Sequence, residues 1–359
     1  MHSTSKPVAI KGRGAAENPP NRFERLAYSL DEESTEFEER PVKTQYLRDS
    51  SRSIIAHNDS PDVGFDTSIN PYRGCEHGCI YCYARPTHEY LGFSAGLDFE
   101  TKILVKEDAP ELLRQELASR RWKPQVVAIS GVTDPYQPIE RRLQITRRCL
   151  EVFAEFRNPV FIVTKNHLVT RDIDILQELA RHNAAGVCVS VTTLNAELAR
   201  VMEPRTSKPD DRLKAIESLA AAGVPTGVMV APVVPGLTDH EMISIVSAAA
   251  QAGARHAGYV VMRLPYAVKE LFETWLERHF PDRKKKILSH IHDLRGGQLN
   301  DPRFGTRMTG EGAFATQISS MFKLACKKAE ISGRGPQLST GAFQRPPNTL
   351  DPQLGLFGE

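Results

Sequence analysis

Five short apolar runs alternate with amphipathic stretches along the middle of the chain, and this alternation restricts the folds that the chain can adopt. The runs are VVAISG (126–131), VFIVT (160–164), GVCVSVT (186–192), PTGVMVAPVV (225–234) and AGYVVMRL (257–264). They are apolar throughout, which is typical of parallel strands covered on both faces. Each is followed, or nearly so, by a stretch of helical length, and these stretches cover 140–156, 172–183, 210–222, 239–252 and 267–279.

With one more strand before Cys75, the pattern predicts six β/α units. A right-handed succession of such units forms either an open parallel sheet or a partial barrel. In both architectures, ligands bind at the carboxyl ends of the strands. We therefore expect functional residues in the segments that follow the runs, which are the loop beginning at Cys75, SGVTDPY (130–136), TKN (164–166), SVTT (190–193), APVVPG (231–236) and RLPY (263–266).

Three of the six cysteines lie within eight residues, in the segment NPYRGCEHGCIYCYARP (70–86). The spacing of Cys75, Cys79 and Cys82 allows three thiols of one tight loop to converge on a single metal centre. An iron–sulfur cluster can be held by three thiolates, with its fourth iron left for another ligand. This spacing favours a cluster with one open iron.

Two alternatives to a cluster remain at this point. Structural zinc normally takes four protein ligands, and only His77 and His88 stand near the three thiols, without a familiar zinc spacing. The cysteines could also be core residues, which is our expectation for Cys149, Cys188 and Cys326, each placed singly in an apolar segment.

Composition indicates a globular protein with one catalytic domain and extensions, since 40% of the 359 residues are hydrophobic and 25% are charged. No uninterrupted apolar run reaches the length of about 18 residues that a membrane helix needs, and the polar start lacks the apolar centre of a secretory signal. We therefore expect a cytoplasmic protein with no membrane partner.

The formal net charge is only +2, but positive charge is concentrated in residues 278–307. Eight basic residues there exceed three acidic ones, which gives 8 − 3 = +5. The basic residues are Arg278, Arg283, Lys284, Lys285, Lys286, Arg295, Arg303 and Arg307. Such a segment is either an ordinary solvated face or a surface that attracts a polyanion such as DNA.

We divide the chain into four parts. Residues 1–60 are predicted to form an extended arm, because they are rich in acidic residues and have few apolar repeats. Residues 61–265 form the α/β core, and 266–331 form a basic helical extension. Residues 332–359, rich in Gly, Pro, Ser and Gln, are predicted to be a flexible tail.

The segment CEHGCIYC resembles the signature of the radical S-adenosylmethionine (SAM) superfamily, Cys-x3-Cys-x-aromatic-Cys. The resemblance implies a partial (β/α)6 TIM barrel, here with an N-terminal arm and a C-terminal helical extension. It also implies that Cys75, Cys79 and Cys82 ligate a [4Fe-4S] cluster, whose open iron chelates SAM. One-electron reduction then cleaves SAM to methionine and a 5′-deoxyadenosyl radical, and the electron is expected from a reductase or a flavodoxin-type protein.

The resemblance also assigns candidate SAM contacts at the strand ends. Tyr81 is expected near the adenine. The segment ISGVTDP (129–135) stands where the superfamily often has a Gly-Gly-Glu-like stretch that touches the SAM amino group. The other candidates are Ser130, Gly131, Thr133 and Asp134 for the amino group, Ser190 and Thr192 for the ribose or carboxylate, and Lys165, Arg205 and Arg212 for the carboxylate.

The order of the motifs resembles the spore photoproduct lyase-like branch, whose members are commonly labelled DNA repair photolyases, and within it an uncharacterised bacterial group with the arm GRGAAENPPNRFE. Tyr83 matches the tyrosine of that lyase's proposed radical relay. The lyase's hydrogen-returning cysteine has no counterpart in the run that begins at Ser130. The resemblance thus predicts radical chemistry on nucleic acid, and it leaves the specific dimer-splitting reaction open.

The end of the tail, DPQLGLFGE, resembles the Gln-Leu-x-Leu-Phe pentapeptide by which bacterial repair proteins bind the DNA sliding clamp. The residues are Gln353, Leu354, Leu356 and Phe357. A mobile tail would place two apolar anchors in a preformed pocket. An apolar plug against the protein's own surface is the alternative.

Three hypotheses follow. The first is a radical SAM enzyme that acts on nucleic acid. The second keeps the enzyme class and changes the substrate to a tRNA, a peptide or a small molecule. The third is a non-enzymatic, metal-stabilised module that binds the sliding clamp.

Overall fold

The computed structural model describes residues 10–24 and 42–347. The clamp-binding residues predicted at Gln353, Leu354, Leu356 and Phe357 lie outside the described residues. The strands are β1 (Gln45–Arg48), β2 (Ile55–His57), β3 (Thr67–Ile69), β4 (Tyr72–Arg73), β5 (Lys102–Val105), β6 (Val127–Ile129), β7 (Val160–Thr164), β8 (Ala185–Ser190), β9 (Thr226–Val233) and β10 (His256–Val261).

The α-helices begin after the cysteine loop. They are α1 (Leu97–Thr101), α2 (Ala109–Ala118), α3 (Glu140–Leu143), α4 (Ile145–Phe156), α5 (Ile173–Arg181), α6 (Ala196–Met202), α7 (Pro209–Ala221), α8 (Met242–Gln251), α9 (Val268–His279), α10 (Pro281–Leu294) and α11 (Gly312–Ala329). Short 3-10 helices cover Arg85–Leu91, His167–Asp172 and Asp239–Glu241.

The main sheet has seven strands in the order β10-β9-β8-β7-β6-β3-β2. The first six of these are mutually parallel, and β2 is antiparallel to β3 at the edge. The parallel strands follow chain order, and the described strands at the two edges, β10 and β2, do not pair with each other. The predicted partial (β/α)6 barrel is therefore confirmed.

Strand and helix positions follow the apolar pattern closely. All six residues of β8 are buried, as expected for a strand covered on both faces. The stretch 140–156, predicted as one helix, is two helices separated by Gln144, whose φ of +53° places it in the left-handed region. A residue in that conformation cannot continue a right-handed helix, so α3 and α4 differ in direction.

A second sheet carries the base of the cysteine loop. It has the order β1-β5-β4, with β1 parallel and β4 antiparallel to β5. Strands β1 and β2 both lie within the segment predicted as an extended arm, and both pair with strands of the core.

Helices α9 and α10 pack behind the cysteine loop. Their apolar side chains, among them Leu271, Trp275 and Ile287, form one buried cluster with Ile80 and Tyr81 of the loop. The indole N–H of Trp275 also donates to the carbonyl oxygen of Val201 at 3.0 Å. The helices that follow the barrel therefore support the loop that carries the three cysteines.

Residues 332–347 also contact the barrel, although the whole tail from 332 was predicted to be flexible. The ring of Phe343 lies 6.3 Å from that of Phe156 of α4, and the Arg345 guanidinium donates to the carbonyl oxygens of Ser119 and Trp122. In the described ranges no helix combines the length and apolar character that crossing a membrane requires.

Candidate active site

The cysteine loop, Cys75–Cys82, follows β4 and has a fixed backbone path. Gly78 has a φ of +67°, and a Cβ there would lie 2.7 Å from Oε2 of Glu100. Nε of Arg85 donates to the carbonyl oxygen of Cys79 at 3.0 Å. Both the conformation and the available space thus require glycine at position 78.

The three thiols of the loop are withdrawn from solvent to different degrees. Cys75 and Cys79 are buried and Cys82 is partly buried. Burial raises the pKa of all three thiols, and at Cys75 the Asp134 carboxylate and the other two thiols raise it further. A bound metal centre reverses this effect, because its positive charge stabilises thiolates.

His77 and His88 are the candidates for a fourth ligand that stand near the thiols in the sequence. Within residues 10–24 and 42–347, no three His, Cys, Asp or Glu side chains are arranged as a ready site for a single ion. Nε2 of His77 lies 3.1 Å from Nδ2 of Asn166, and Nε2 of His88 lies 3.0 Å from the carbonyl oxygen of Lys102. Nδ1 of His77 lies 3.4 Å from Asp134, whereas Nδ1 of His88 is buried without a hydrogen-bond partner among the described residues. Because the three thiols and these histidines do not have a familiar zinc spacing, the donor set fits a three-thiolate cluster better than structural zinc.

The pH dependence of stability tests the prediction that His88 is neutral in the folded protein. Burial lowers its pKa from 6.5 to about 4, so the unfolded chain binds the proton first as pH falls. The stabilisation by neutral His88 is complete above about pH 6.5 and is lost as pH falls toward 4. We expect wild type to lose about 2 kcal/mol more than His88→Gln between about pH 7 and pH 5, measured by urea denaturation.

The exposed residue His57 is the matched control, and His57→Gln is expected to show the wild-type pH dependence. If His88→Gln shows that same dependence, His88 is not held neutral in the fold.

Glu203 joins most of the predicted SAM contacts into one buried network. It accepts a hydrogen bond from the Tyr81 hydroxyl, and it accepts one from Thr192 Oγ1 at 2.7 Å. Its Oε1 lies 3.3 Å from Nζ of Lys165, and its Oε2 lies 2.5 Å from Nη2 of Arg212. Burial raises the pKa of Glu203, and Arg212 opposes that shift. No sequence motif identified Glu203, although it stands two residues before Arg205.

Lys165 is the most constrained cation of this network. Its Nζ donates to the carbonyl oxygen of Ala231 at 2.8 Å and to Thr192 Oγ1 at 3.2 Å. It also lies 5.7 Å from the centre of the Tyr81 ring. Burial, followed by the charge of Arg212, lowers the pKa of Lys165 to about 8.

Arg212 is almost fully buried, and its guanidinium contacts only protein acceptors. Besides Glu203, it donates to the carbonyl oxygens of Ser207 at 2.8 Å and Ser190 at 3.0 Å, and to Thr206 Oγ1 at 2.6 Å. Arg212 therefore links Glu203 to the carboxyl end of β8.

The segment after β6 has an unusual backbone. Ser130 has a φ of +133°, a region that is costly for a residue with a side chain, and Gly131 has a φ of +132°. Ser130 Oγ donates to the carbonyl oxygen of Thr133 at 3.2 Å, and Thr133 Oγ1 donates to that of Tyr72 at 3.3 Å. The turn holds the backbone of Ser130 and Gly131 at the mouth of the barrel.

The carboxylate of Asp134 interacts with neighbouring groups on β7 and on the cysteine loop. It accepts hydrogen bonds from Thr164 Oγ1 and from the backbone N–H of Lys165, both at 2.7 Å, and its Oδ2 lies 3.4 Å from Nδ1 of His77. Burial by itself raises the pKa of Asp134, but His77 and these hydrogen bonds bring it below its usual value. Asp134 therefore links the ends of β6 and β7 to the cysteine loop.

Arg205 and Ser190 are not joined to the Glu203 network in the same way. Nη1 of Arg205 lies 3.1 Å from Oε1 of Glu76, beside Thr44. Ser190 contributes its carbonyl oxygen to Arg212. The structure thus brings Tyr81, Lys165, Thr192 and Arg212 together and leaves Arg205 on a neighbouring pair.

Tyr83 lies at the open mouth of the site. Its side chain is 48% exposed, and its hydroxyl donates to the carbonyl oxygen of Gly131. Desolvation and the adjacent Cys82 thiol raise the pKa of Tyr83 to about 12, although Arg263 and Arg307 oppose this shift. The hydrogen bond to Gly131 holds the partly exposed Tyr83 ring beside the segment that follows β6.

Residues 10–24 form a second feature that sequence analysis did not identify. The backbone N–H groups of Gly14 and Ala15 donate to the buried carboxylate of Glu100 at 3.0 and 2.8 Å, and Nη2 of Arg85 contacts that carboxylate at 2.5 Å. A Cβ at Gly14 would lie 1.8 Å from the carbonyl oxygen of Gly78. Glu100 therefore fixes this N-terminal segment against the cysteine loop.

Glu100→Gln is expected to reduce the free energy of unfolding by about 3 kcal/mol, because it leaves the buried Arg85 guanidinium without its carboxylate. Chemical denaturation under anaerobic conditions measures this loss. The exposed neighbour Glu107 provides the control, and Glu107→Gln is expected to change stability by less than about 0.5 kcal/mol. Equal stability of the two variants would show that Glu100 does not hold the segment.

Part of the positive charge counted in residues 278–307 is buried or paired with acidic side chains. Arg295 is buried and donates to four backbone carbonyls. Arg303 pairs with Asp301 and Glu311, and Lys284 pairs with Glu277. The segment is therefore less basic at its surface than its sequence indicates.

Comparison with known proteins identifies the family of this site. The family model described as the radical SAM superfamily matches residues 69–249, which include the cysteine loop and strands β6 to β9. The chain belongs to the radical SAM superfamily. Its cofactors are therefore a [4Fe-4S] cluster and SAM.

The chain is also similar to particular members. An uncharacterized protein of Mycobacterium tuberculosis is 38% identical over 243 residues, which cover 67% of this chain and 70% of the relative. Spore photoproduct lyase of Bacillus subtilis is 29% identical over 184 residues, covering 49% of this chain and 48% of the lyase.

The fold is similar to a solved structure of a spore photoproduct lyase variant with bound AdoMet and dinucleoside spore photoproduct. The alignment covers 79% of this chain and 78% of the lyase chain, with a TM-score of 0.57 and 18% sequence identity. That match shows a shared fold. Together, the comparisons confirm the predicted relationship to the spore photoproduct lyase-like branch and to an uncharacterised bacterial group.

Proposed function

We propose that this radical SAM enzyme abstracts a hydrogen atom from nucleic acid, and that Cys75, Cys79 and Cys82 hold its cluster. The observation that carries the proposal is the loop of three buried or partly buried thiols, beside the accessible ring of Tyr83. When bound, the cluster supplies the electron that cleaves SAM to methionine and a 5′-deoxyadenosyl radical. Similarity to spore photoproduct lyase supports nucleic acid as the substrate class.

The protein's part is to orient SAM and to exclude water. Lys165, Thr192 and the backbone of Ser130 and Gly131 are proposed to face SAM. Arg212 and Asp134, whose polar atoms contact protein groups, are proposed to position those residues.

The reaction that follows hydrogen abstraction differs from dimer splitting in its hydrogen donor. The run that begins at Ser130 has no cysteine. Cys188 on β8 is buried, and burial raises its pKa to about 12, which is typical of an inert core thiol. We propose that the Tyr83 O–H gives a hydrogen atom to the substrate radical, and that the resulting tyrosyl radical returns to tyrosine by taking one electron from the flavodoxin-type donor and one proton from solvent.

Isotope transfer tests the proposal. Anaerobic enzyme is incubated with SAM, a reductant and DNA deuterated on its bases, either irradiated or undamaged, and 5′-deoxyadenosine is analysed by mass spectrometry. Deuterium in 5′-deoxyadenosine supports the proposal. Cleavage of SAM with no label from DNA, but with label from a deuterated tRNA or peptide, overturns the substrate class and leaves the enzyme class intact.

Binding to the sliding clamp through the tail and a cytoplasmic location stay predictions. A pull-down with purified clamp, comparing wild type with Phe357→Ala, tests the first of these.

A further inference from the structure

Arg263 lies at the mouth of the site and forms no ion pair with any carboxylate of the described residues. It stands two residues after β10, and its guanidinium carbon is 5.3 Å from the centre of the Tyr83 ring. Nη1 contacts the Met308 sulfur at 3.6 Å, which is a weak acceptor, and Nε is buried without a hydrogen-bond partner. No described carboxylate forms an ion pair with Arg263.

A second arginine lies close to the first. Nε of Arg307 pairs with Asp62 at 2.5 Å, and its guanidinium lies 4.4 Å from the centre of the exposed Phe304 ring. Arg307 acts electrostatically on both Arg263 and Tyr83. Two guanidinium groups therefore share one carboxylate, which leaves an excess positive charge beside Tyr83.

The protein holds this charge rigidly in place. Residues 300–311 are fixed to the end of β10 by the hydrogen bond from the Val261 N–H to the Met308 carbonyl oxygen at 2.9 Å. Arg295 reinforces the contact by donating to the carbonyl oxygens of Thr306 and Arg307. A partly desolvated guanidinium without an acceptor is costly, and an oxyanion placed between the two arginines removes that cost.

We propose that Arg263, assisted by Arg307, binds a phosphodiester group of the substrate beside Tyr83. This inference rests on the proposed function for the identity of the substrate, and it adds a specific anion subsite. Phosphate is favoured over an isolated carboxylate because exposed rings, Tyr83 and Phe304, flank the arginines and can stack on unpaired bases. The carboxylate of SAM is the competing oxyanion.

The test uses the full chain, Arg263→Met, and a fluorescein-labelled oligothymidylate in an anisotropy titration. Arg263→Met is expected to weaken oligonucleotide binding about tenfold and to reduce the slope of log K against log salt by about 0.7, which is the value for one phosphate of a single strand. Arg303→Met is the matched control, because Arg303 is exposed on the same segment and pairs with Asp301 and Glu311. It is expected to bind as wild type does.

Two further measurements separate the outcomes. The dissociation constant for SAM is expected to agree within about twofold between Arg263→Met and wild type. If Arg263→Met instead loses SAM affinity and binds the oligonucleotide as wild type does, Arg263 contacts the SAM carboxylate and the proposal is overturned. Arg263→Lys, which keeps the charge, is expected to restore part of the oligonucleotide affinity, whereas a folding defect would lower the melting temperature and SAM binding together.

Inorganic phosphate distinguishes failure of the subsite from failure of the proposed function. If wild type binds no oligonucleotide but phosphate raises its melting temperature, and Arg263→Met loses that shift, the anion subsite stands while the nucleic acid substrate is rejected. If Arg263→Met matches wild type with both probes, the subsite is rejected whatever the substrate.

Discussion

Cys79→Ala is expected to reduce SAM cleavage to the level of the protein-free control. Two thiolates cannot retain a cluster that needs three, and the backbone around Cys79 is otherwise held by Arg85. The measurement is 5′-deoxyadenosine formed per chain after anaerobic reconstitution and reduction.

Cys188→Ala separates loss of a ligand from loss of packing. Cys188 is a buried thiol on β8, so its replacement removes a similar side chain from the interior. Cys188→Ala is expected to keep its cluster and its SAM cleavage. Cleavage that survives in Cys79→Ala, or fails equally in both variants, would contradict the assignment of the cysteine loop.

Glu203→Gln is expected to have the second-largest effect. Its carboxylate contacts both Lys165 and Arg212 in the interior, and removing the charge leaves two buried cations without their anion. Breaking a buried ion pair from one side costs about 3–5 kcal/mol. We expect a loss of that size in chemical denaturation and a SAM affinity at least about tenfold weaker, because Lys165 and Thr192 lose their common acceptor.

The control is Glu197→Gln on α6, where the carboxylate forms an exposed pair with Arg200 at 3.0 Å. Exposed pairs contribute about 0–1 kcal/mol, so this variant is expected to resemble wild type in stability and SAM binding. A Glu203→Gln variant that also resembles wild type would show that the network does not organise the SAM site.

The parallel strands were readily predicted because each is a continuous apolar run, and β7 coincides with the run 160–164. The break between α3 and α4 was not predicted, since Gln144 carries no helix-ending signal such as glycine or proline. Strands β1, β4 and β5 are short and pair in a separate sheet, and their pairing depends on contacts distant in sequence.

Site residues that lie close together in the sequence were predicted, whereas site residues whose partners are distant in the sequence were not. The three cysteines lie on one loop, so their spacing alone indicates a common centre. Glu100 contacts Gly14, which is 86 residues away, and Glu203 contacts Tyr81, which is 122 residues away. Neither acid was identifiable, because sequence does not show which buried cation a carboxylate will meet.

The count of charged residues overestimated the positive charge at the surface of residues 278–307, because the sequence does not show which guanidinium groups are buried. Arg295 contributes to the +5 of residues 278–307, yet its guanidinium is buried against backbone carbonyls. In contrast, Arg263 was only part of a strand-end segment in the sequence, and within residues 10–24 and 42–347 no carboxylate pairs with it.

The most direct test of the account is the iron and sulfide content of anaerobically reconstituted wild-type protein, with an electron paramagnetic resonance spectrum of the reduced state before and after SAM is added. We expect about four iron and four sulfide per chain, and a spectrum that changes when SAM binds the open iron. Stoichiometric zinc without sulfide, or a reduced cluster whose spectrum is insensitive to SAM, would contradict it.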